Sequence, residues 1–428
     1  MKMLNIFALI VLLFAGCDKE PIVVTNHPPI PCPFLCDTSK LEMVWQQPLS
    51  FDTSELFSIS PVIFNNRVLF SRSFSIVDTL KCFDSKTGRL VWQWADYFLG
   101  RKSAITLSHK EFLQNGKFLF TTWNDVYCVD VGSGRTHWRS QLQSGSGNPR
   151  INETPNYVYH VNLQRANAVT INSYLVRADI NEGKWDTIYT QSKIEGFEPN
   201  IEPASVSWTN TKGEEIVFFQ IRYWDFPGSK GRIDWLALNL TTKKEEFRFN
   251  NIDRGQIGTV ANAFLSGDKV YFLCVNSLFC INKNDGKIIW RKNFDKEGET
   301  FTSASPLIAE GKLFIKPDNS TLYALDPDTG NQIWVDTDNG TESKGIIYYD
   351  GLLYYTSGGD AKIYAVEAAT GKKIWAEPSP NKYKNALNGN RRFSNANIGF
   401  GGIAIDPEQG VLFTSDFYFA MCLKLPKK

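Results

Sequence analysis

The chain is poor in the residues that build the common catalytic centres. Histidine occurs four times in 428 residues, at His27, His109, His137 and His160, too scattered for a paired-histidine zinc motif. There is no His-Glu-x-x-His, no Gly-x-Ser-x-Gly and no phosphate-loop pattern, so three large enzyme classes lack their local signature. Neither sign of charge is in excess. A formal net charge of +1 gives no bulk field favouring nucleic acid or an acidic partner. Eight cysteines are present, but no two are adjacent. The apolar run Leu4 to Gly16 is shorter than the ~20 residues that span a bilayer. A site assembled from distant loops leaves no such local trace, and these absences do not bear on it.

What is present is a repeat. Leu322-Tyr-Ala-Leu-Asp-Pro-Asp-Thr-Gly-Asn-Gln-Ile-Trp-Val335 recurs as Leu80 to Trp92, Val126 to Trp138, Leu278 to Trp290 and Ile363 to Trp375. Two worn copies run from Leu175 through Gly183 and from Trp235 through Phe247. Each opens with alternating apolar residues, the period of a strand. Asp or Asn then opens a turn, and Gly supplies a position with φ > 0. A second strand follows, with Trp four residues after the Gly. The turn positions Gly88, Gly134, Gly183, Lys243, Gly286, Gly330 and Gly371 recur roughly every 40–60 residues. That spacing, with one four-stranded unit per period, predicts an all-β propeller rather than the two or three domains that length alone suggests.

Residues 1–16 have the make-up of a signal peptide. Leu13-Phe-Ala-Gly-Cys17 puts small residues directly before a cysteine and resembles a bacterial lipoprotein signal, with Phe14 where that signal usually has Leu. The alternative is an ordinary secretory signal beside an incidental cysteine. The resemblance implies lipidation of Cys17 and a place in the bacterial cell envelope, at the outer membrane, facing the periplasm or the exterior. Residues 17–40 hold Pro21, Pro28, Pro29, Pro31 and Pro33 and read as an extended tether. Cys32 and Cys36 within it are either a disulfide, permitted by an oxidising compartment, or free thiols. No second Cys or His pair is placed to complete a zinc site with them.

Residues 41–428 are expected to form eight blades. Glu42 to Leu49 reads as the second half of a hairpin without a first, and Phe419 to Lys424 as a first half without a second. Pairing them completes an eighth four-stranded antiparallel blade and removes an exposed sheet edge. The middle of each blade's third strand is Cys82, Cys128, Arg177, Ala237, Cys280, Ala324, Ala365 or Cys422, a place for a small apolar side chain that Arg177 breaks. Trp92, Trp138, Trp290, Trp334 and Trp375, with Phe247 and Trp45 in the same register, are expected to pack between blades.

The motif Leu-Tyr-Ala-Leu-Asp-x-x-Thr-Gly-x-x-x-Trp resembles the repeat of quinoprotein-type, PQQ-like β-propellers over residues 42–428. Two functional branches share it. Quinoprotein alcohol dehydrogenases hold pyrroloquinoline quinone and calcium. Non-enzymatic lipoproteins include the propeller lipoprotein of the outer-membrane β-barrel assembly machine. The dehydrogenases usually carry adjacent cysteines under the quinone, and none exist here. Asp336-Thr-Asp-Asn-Gly340 hints at a calcium loop but lacks the acidic ligand an EF-hand has at position twelve, and reads equally as a turn. The resemblance therefore implies no cofactor, no metal and no catalytic residue, and a scaffold that binds a protein partner in the envelope. A glycan-binding surface lipoprotein is the alternative, and a PQQ-dependent dehydrogenase a further one.

The expected binding face gathers the connections into the blades and those between their second and third strands. It includes Tyr97, Phe98, Arg101 and Lys102, then Arg222, Tyr223, Trp224 and Phe226, in a loop read as Tyr223 to Gly231. The long connection Ala376 to Phe400 adds Lys382, Tyr383, Lys384, Asn385, Arg391, Arg392 and Phe393. Aromatics with Arg and Asn are the side chains that anchor protein interfaces and stack on sugars.

Overall fold

The computed structural model describes residues 39–49, 61–71, 80–94, 105–106, 112–122, 125–141, 152–153, 157–167, 169–194, 196–202, 206–225, 231–252, 263–294, 301, 306–341, 345–357, 360, 362–381, 402–416 and 419–426. They form eight antiparallel sheets, the blades of an eight-bladed propeller. Blade 1 is Val62–Phe64, Arg67–Ser71, Leu80–Asp84 and Leu90–Trp94, each strand pairing with the next. Blades 5, 6 and 7 repeat this order from Ala263 to Asn293, Leu307 to Asp336 and Ile347 to Pro378. Blade 3 spans Asn152 to Ser192. In blades 2 and 4 the inner strand is split. Ile105–Thr106 and Phe112–Gln114 share one partner, as do Glu198–Ile201 and Val206–Thr209. The last blade is composite, as expected: Met43–Pro48 pairs with Phe419–Lys424, Trp45 opposite Cys422.

The repeat unit now has a physical account. Asp84 Oδ1 accepts from the amides of Lys86 at 3.1 Å and Thr87 at 2.8 Å, and from the Thr87 hydroxyl at 2.8 Å. The Thr87 amide first, and then its hydroxyl, hold the Asp84 carboxyl below its ordinary range. Gly88 closes the turn at φ +70°. The indole of Trp45, from the blade before, lies directly over it, so that a Cβ on Gly88 would sit 2.7 Å from Trp45 Cδ2. Gly is thus required by both backbone and neighbour. The Trp45 Nε1–H donates to the Ser85 carbonyl at 2.9 Å, a buried polar group satisfied across the seam.

This contact repeats around the ring. Trp92 covers Gly134, Trp138 covers Gly183, Phe247 covers Gly286, Trp290 covers Gly330 and Trp334 covers Gly371. Four of these indoles donate to the next blade, onto Val131, Ile180, Pro327 and Ala368. Each aromatic stands opposite the small residue of its third strand, as in Cys82 with Trp92 and Ala324 with Trp334. The small side chain leaves room for the ring. Cys82, Cys128, Cys274, Cys280 and Cys422 are all buried.

Two seams depart from the rule. Blade 3 has Thr187 where Trp would stand, and the following turn has Lys243, not Gly, at φ 57°. With no ring overhead, a Cβ is tolerated. Arg177 is held within blade 3 itself, between the strands that flank it. Its guanidinium lies 4.4 Å from the Tyr157 ring centroid and forks onto Asp186 at 3.2 Å through both Nε and Nη2. In the last seam Trp375 covers no glycine among the described residues; it packs against the apolar clusters that hold Leu41 with Leu423 and Tyr354 with Ala365, and its buried Nε1–H has no partner.

Candidate binding face

The second strands end and the third strands begin on one side of the ring, because neighbouring strands in each blade are antiparallel. Blades 3 and 4 stand tallest there. Their middle strands have 10 and 11 residues and 10 and 9 residues, against 4 and 4 in blade 6. At ~3.3 Å per residue these hairpins rise well above the rest. Two bonds lock them together: the Thr170 amide donates to Glu198 Oε2 at 2.7 Å, and the Ile201 amide to Ser173 Oγ at 3.0 Å.

Of the sequence-derived cluster on blade 4, Tyr223 and Trp224 belong to the strand, not the loop, which corrects the boundary at Tyr223. Tyr223 pairs with Pro199 and Arg232, and Trp224 with Glu198 and Gly231. Strand alternation then separates them. Tyr223 is 2% exposed and packs in the core shared by blades 3 and 4, with Arg232 4.9 Å over its ring. Burial first, and then the Asp234 charge, push its phenol up. Arg222 is drawn inward to the Glu202 carboxylate. Trp224 alone of the three presents its ring to solvent, at 40% exposure. Its backbone is fixed on both sides by the sheet.

Behind it lies a charged brace. Buried Asp234 receives Arg232 Nη2 at 2.9 Å, Arg248 Nη1 at 3.1 Å and the Asn251 amide at 2.8 Å. Arg248 reaches on to the Tyr189 hydroxyl at 2.6 Å and to Glu245 at 2.7 Å. Burial is the first cause that pushes the Tyr189 phenol up to about 12. The brace joins blade 3 to blade 4 at the seam without an indole.

Other expected residues fall outside the described segments: Tyr97, Phe98, Arg101, Lys102, Phe226, Lys382, Tyr383, Lys384, Asn385, Arg391, Arg392 and Phe393, as do Cys17, Cys32 and Cys36. Asn381, which leads into the long connection, is anchored on the closing blade through Asp416 at 3.2 Å and Gln46 at 3.0 Å. Sequence reading missed the polar groups set inside strands. His160 is fully buried with neither ring nitrogen partnered, and burial holds its imidazole down at about 3. Lys316 is 2% exposed at the end of an apolar strand. A lysine directly after Lys312-Leu-Phe-Ile315 was the visible sign.

A family model described as outer membrane protein assembly factor BamB, of the PQQ type, matches residues 35–218 and 230–391. The chain belongs to this family. Among solved structures it is similar to BamB from Moraxella catarrhalis, at TM-score 0.54 and 11% identity over 90% of this chain and 99% of that one. A europium-containing methanol dehydrogenase gives TM-score 0.59 and 10% identity over 88% and 85%. At such identities the likeness is one of fold. Among curated proteins, quinoprotein ethanol dehydrogenase of Pseudomonas aeruginosa is 37% identical over 87 residues, 17% of this chain and 14% of that protein. Tetrathionate hydrolase of Acidithiobacillus ferrooxidans is 25% identical over 135 residues, 31% and 25%. The chain thus spans only a small part of the curated relatives it matches. Among the described residues no three His, Cys, Asp or Glu side chains gather as a metal would need.

Proposed function

We propose that this protein is a non-catalytic scaffold of the bacterial cell envelope, held to the outer membrane by lipid on Cys17, that binds a protein partner through its tall face. The observation that carries the reading is Trp224. It is a large aromatic side chain, exposed, on a backbone that the sheet holds on both sides. Interfaces draw much of their energy from such anchors. Membership of the BamB family supports an envelope scaffold, since that family's description is an assembly factor of the outer membrane. Lys382, Tyr383, Lys384, Asn385, Arg391, Arg392 and Phe393 are proposed to complete the face. The test is capture of partners from solubilised membranes with the lipidated protein and with Trp224→Ala. Loss of a captured protein in a folded variant supports the reading.

A glycan is the second candidate for the same face, because an exposed indole on a rigid strand is also a platform for a sugar ring. Binding of the wild type on a glycan array, abolished by Trp224→Ala, with no protein captured, would favour it. A PQQ-dependent dehydrogenase rests only on fold likeness and short local matches. Calcium-dependent dye reduction on adding the quinone would establish it.

A further inference from the structure

The stretch Asp336 to Gly340, with its spaced acidic residues, connects blade 6 to blade 7. Thr337 and Asp338 are exposed, but its Asn339 end is buried and held between two other segments. Ser320 Oγ donates to the Thr337 carbonyl at 2.7 Å, and the Asn339 amide to the Ser320 carbonyl at 2.9 Å. Ser357 Oγ donates to the Thr341 carbonyl at 2.9 Å from the other side. Gly340 sits at φ +64°, and a Cβ there would run into the Ser357 side chain. Asn339 has no exposed surface, and its Oδ1 accepts from the Tyr355 hydroxyl at 2.8 Å. The buried end of the connector needs partners for its carbonyls.

The Gly340 carbonyl finds one in Lys316. The ammonium of this residue donates to Gly340 O at 2.6 Å and to Asn319 O at 2.8 Å, so two carbonyls from different segments converge on one cation. The face of the Tyr355 ring lies 5.8 Å from the same nitrogen, within cation–π range. The carboxylates of Asp318 and Asp360 act on it from outside, both favouring the charged form. Burial opposes them and brings the amine down to about 7. A second lysine serves the outer side of the connector: Lys373 Nζ pairs with Asp338 Oδ2 at 2.6 Å and lies 5.5 Å over the Tyr364 ring.

Carbonyl oxygens, a ring face and nearby carboxylates are what proteins use to hold a bare cation. Here a side chain delivers the positive charge. We propose that the connector between blades 6 and 7 is a cation-held loop that carries its own cation, the Lys316 ammonium, and that the same pair of carbonyls accepts a small monovalent cation, ammonium or potassium, once the lysine side chain is cut back.

The experiment compares wild type, Lys316→Ala and Lys316→Met by thermal melting in choline, sodium, potassium and ammonium chloride at equal ionic strength. Lys316→Ala opens the space, whereas Lys316→Met fills it with an uncharged chain of similar length. Both variants are expected to melt below wild type. Only Lys316→Ala is expected to gain in potassium or ammonium over choline, while wild type and Lys316→Met shift equally in all four salts. Hydrogen exchange at the Asn339 amide gives a second readout, with protection lost in Lys316→Met. That readout decides the matter if Lys316→Ala does not fold. The inference is overturned if Lys316→Met melts with wild type and keeps Asn339 protected, or if a folded Lys316→Ala melts identically in choline, potassium and ammonium.

Discussion

The Trp45 indole rests on Gly88 and donates 2.9 Å to the Ser85 carbonyl, so one residue of the strand that completes blade 8 also seals the turn of blade 1. Gly88→Ala must push a methyl group into that ring while holding φ +70°. The expected loss is roughly 2–4 kcal/mol, from left-handed strain and overpacking together. Lys243→Gly is the control. That residue has positive φ but no ring above it, so the change should be neutral or slightly stabilising. Urea midpoints of the two variants check the pair.

Removing residues 41–50 takes away the strand whose residues Met43 to Pro48 pair with Leu423 to Phe419. It also takes the 2.8 Å bond from the Lys424 amide to the Glu42 carbonyl and the cover of Gly88. An open edge on the closing blade should bring aggregation or loss of cooperative unfolding. Removing residues 18–36 should leave the melting midpoint nearly unchanged. Equal losses from the two deletions would contradict closure through the ends of the chain.

His160 ties stability to acid. Its folded pKa of about 3 lies below the 6.5 of the free side chain. Between those values the unfolded chain binds a proton that the folded chain refuses. Stability therefore rises with pH across this window and falls as pH drops through it, by up to about 1.4 kcal/mol per pH unit. His160→Gln should lower the slope of unfolding free energy against pH between 4 and 6 by up to that amount.

Trp224 and Tyr223 are neighbours with opposite expected effects. Trp224→Ala should weaken partner binding by ~2 kcal/mol or more and leave melting nearly unchanged. Arg391→Ala, alone and with it, tests the long connection. Tyr223→Ala should destabilise the fold by about 3–5 kcal/mol, because its ring is in the core shared by blades 3 and 4. Binding that survives the Trp224→Ala, Arg391→Ala double variant in a folded protein would move the search to the opposite rim.

The difference between those two residues shows where sequence reading stopped. The hairpin repeat was legible because one Gly and one Trp four residues later must coincide with a neighbour's turn. The closing blade was legible because its two halves each lacked a partner. Tyr223 and Trp224 looked like a loop because their strand runs past the length the repeat sets. Arg177 looked like an exception because its partners, Tyr157 and Asp186, come from the strands on either side of it in its own blade. Lys316 was hidden for a related reason, since its two carbonyl partners belong to backbone, which carries no residue signature.

The seams also give the ring a direction. Trp45, Trp92, Trp138, Phe247, Trp290 and Trp334 all reach forward onto the following blade's turn, as Trp92 does onto Gly134 and Val131 and Trp138 does onto Gly183 and Ile180. The contact is head to tail, the kind of interface that makes a ring when its rotation closes and a filament when it does not. Damage should therefore travel one way. Truncating Trp92 frees the turn at Gly134 in blade 2, while the turn at Gly88 in its own blade stays under Trp45. Amide exchange should quicken downstream of the lesion and not upstream. At Trp375, which covers no glycine among the described residues, the sequence of locks runs out, and that seam is where the ring is expected to open first.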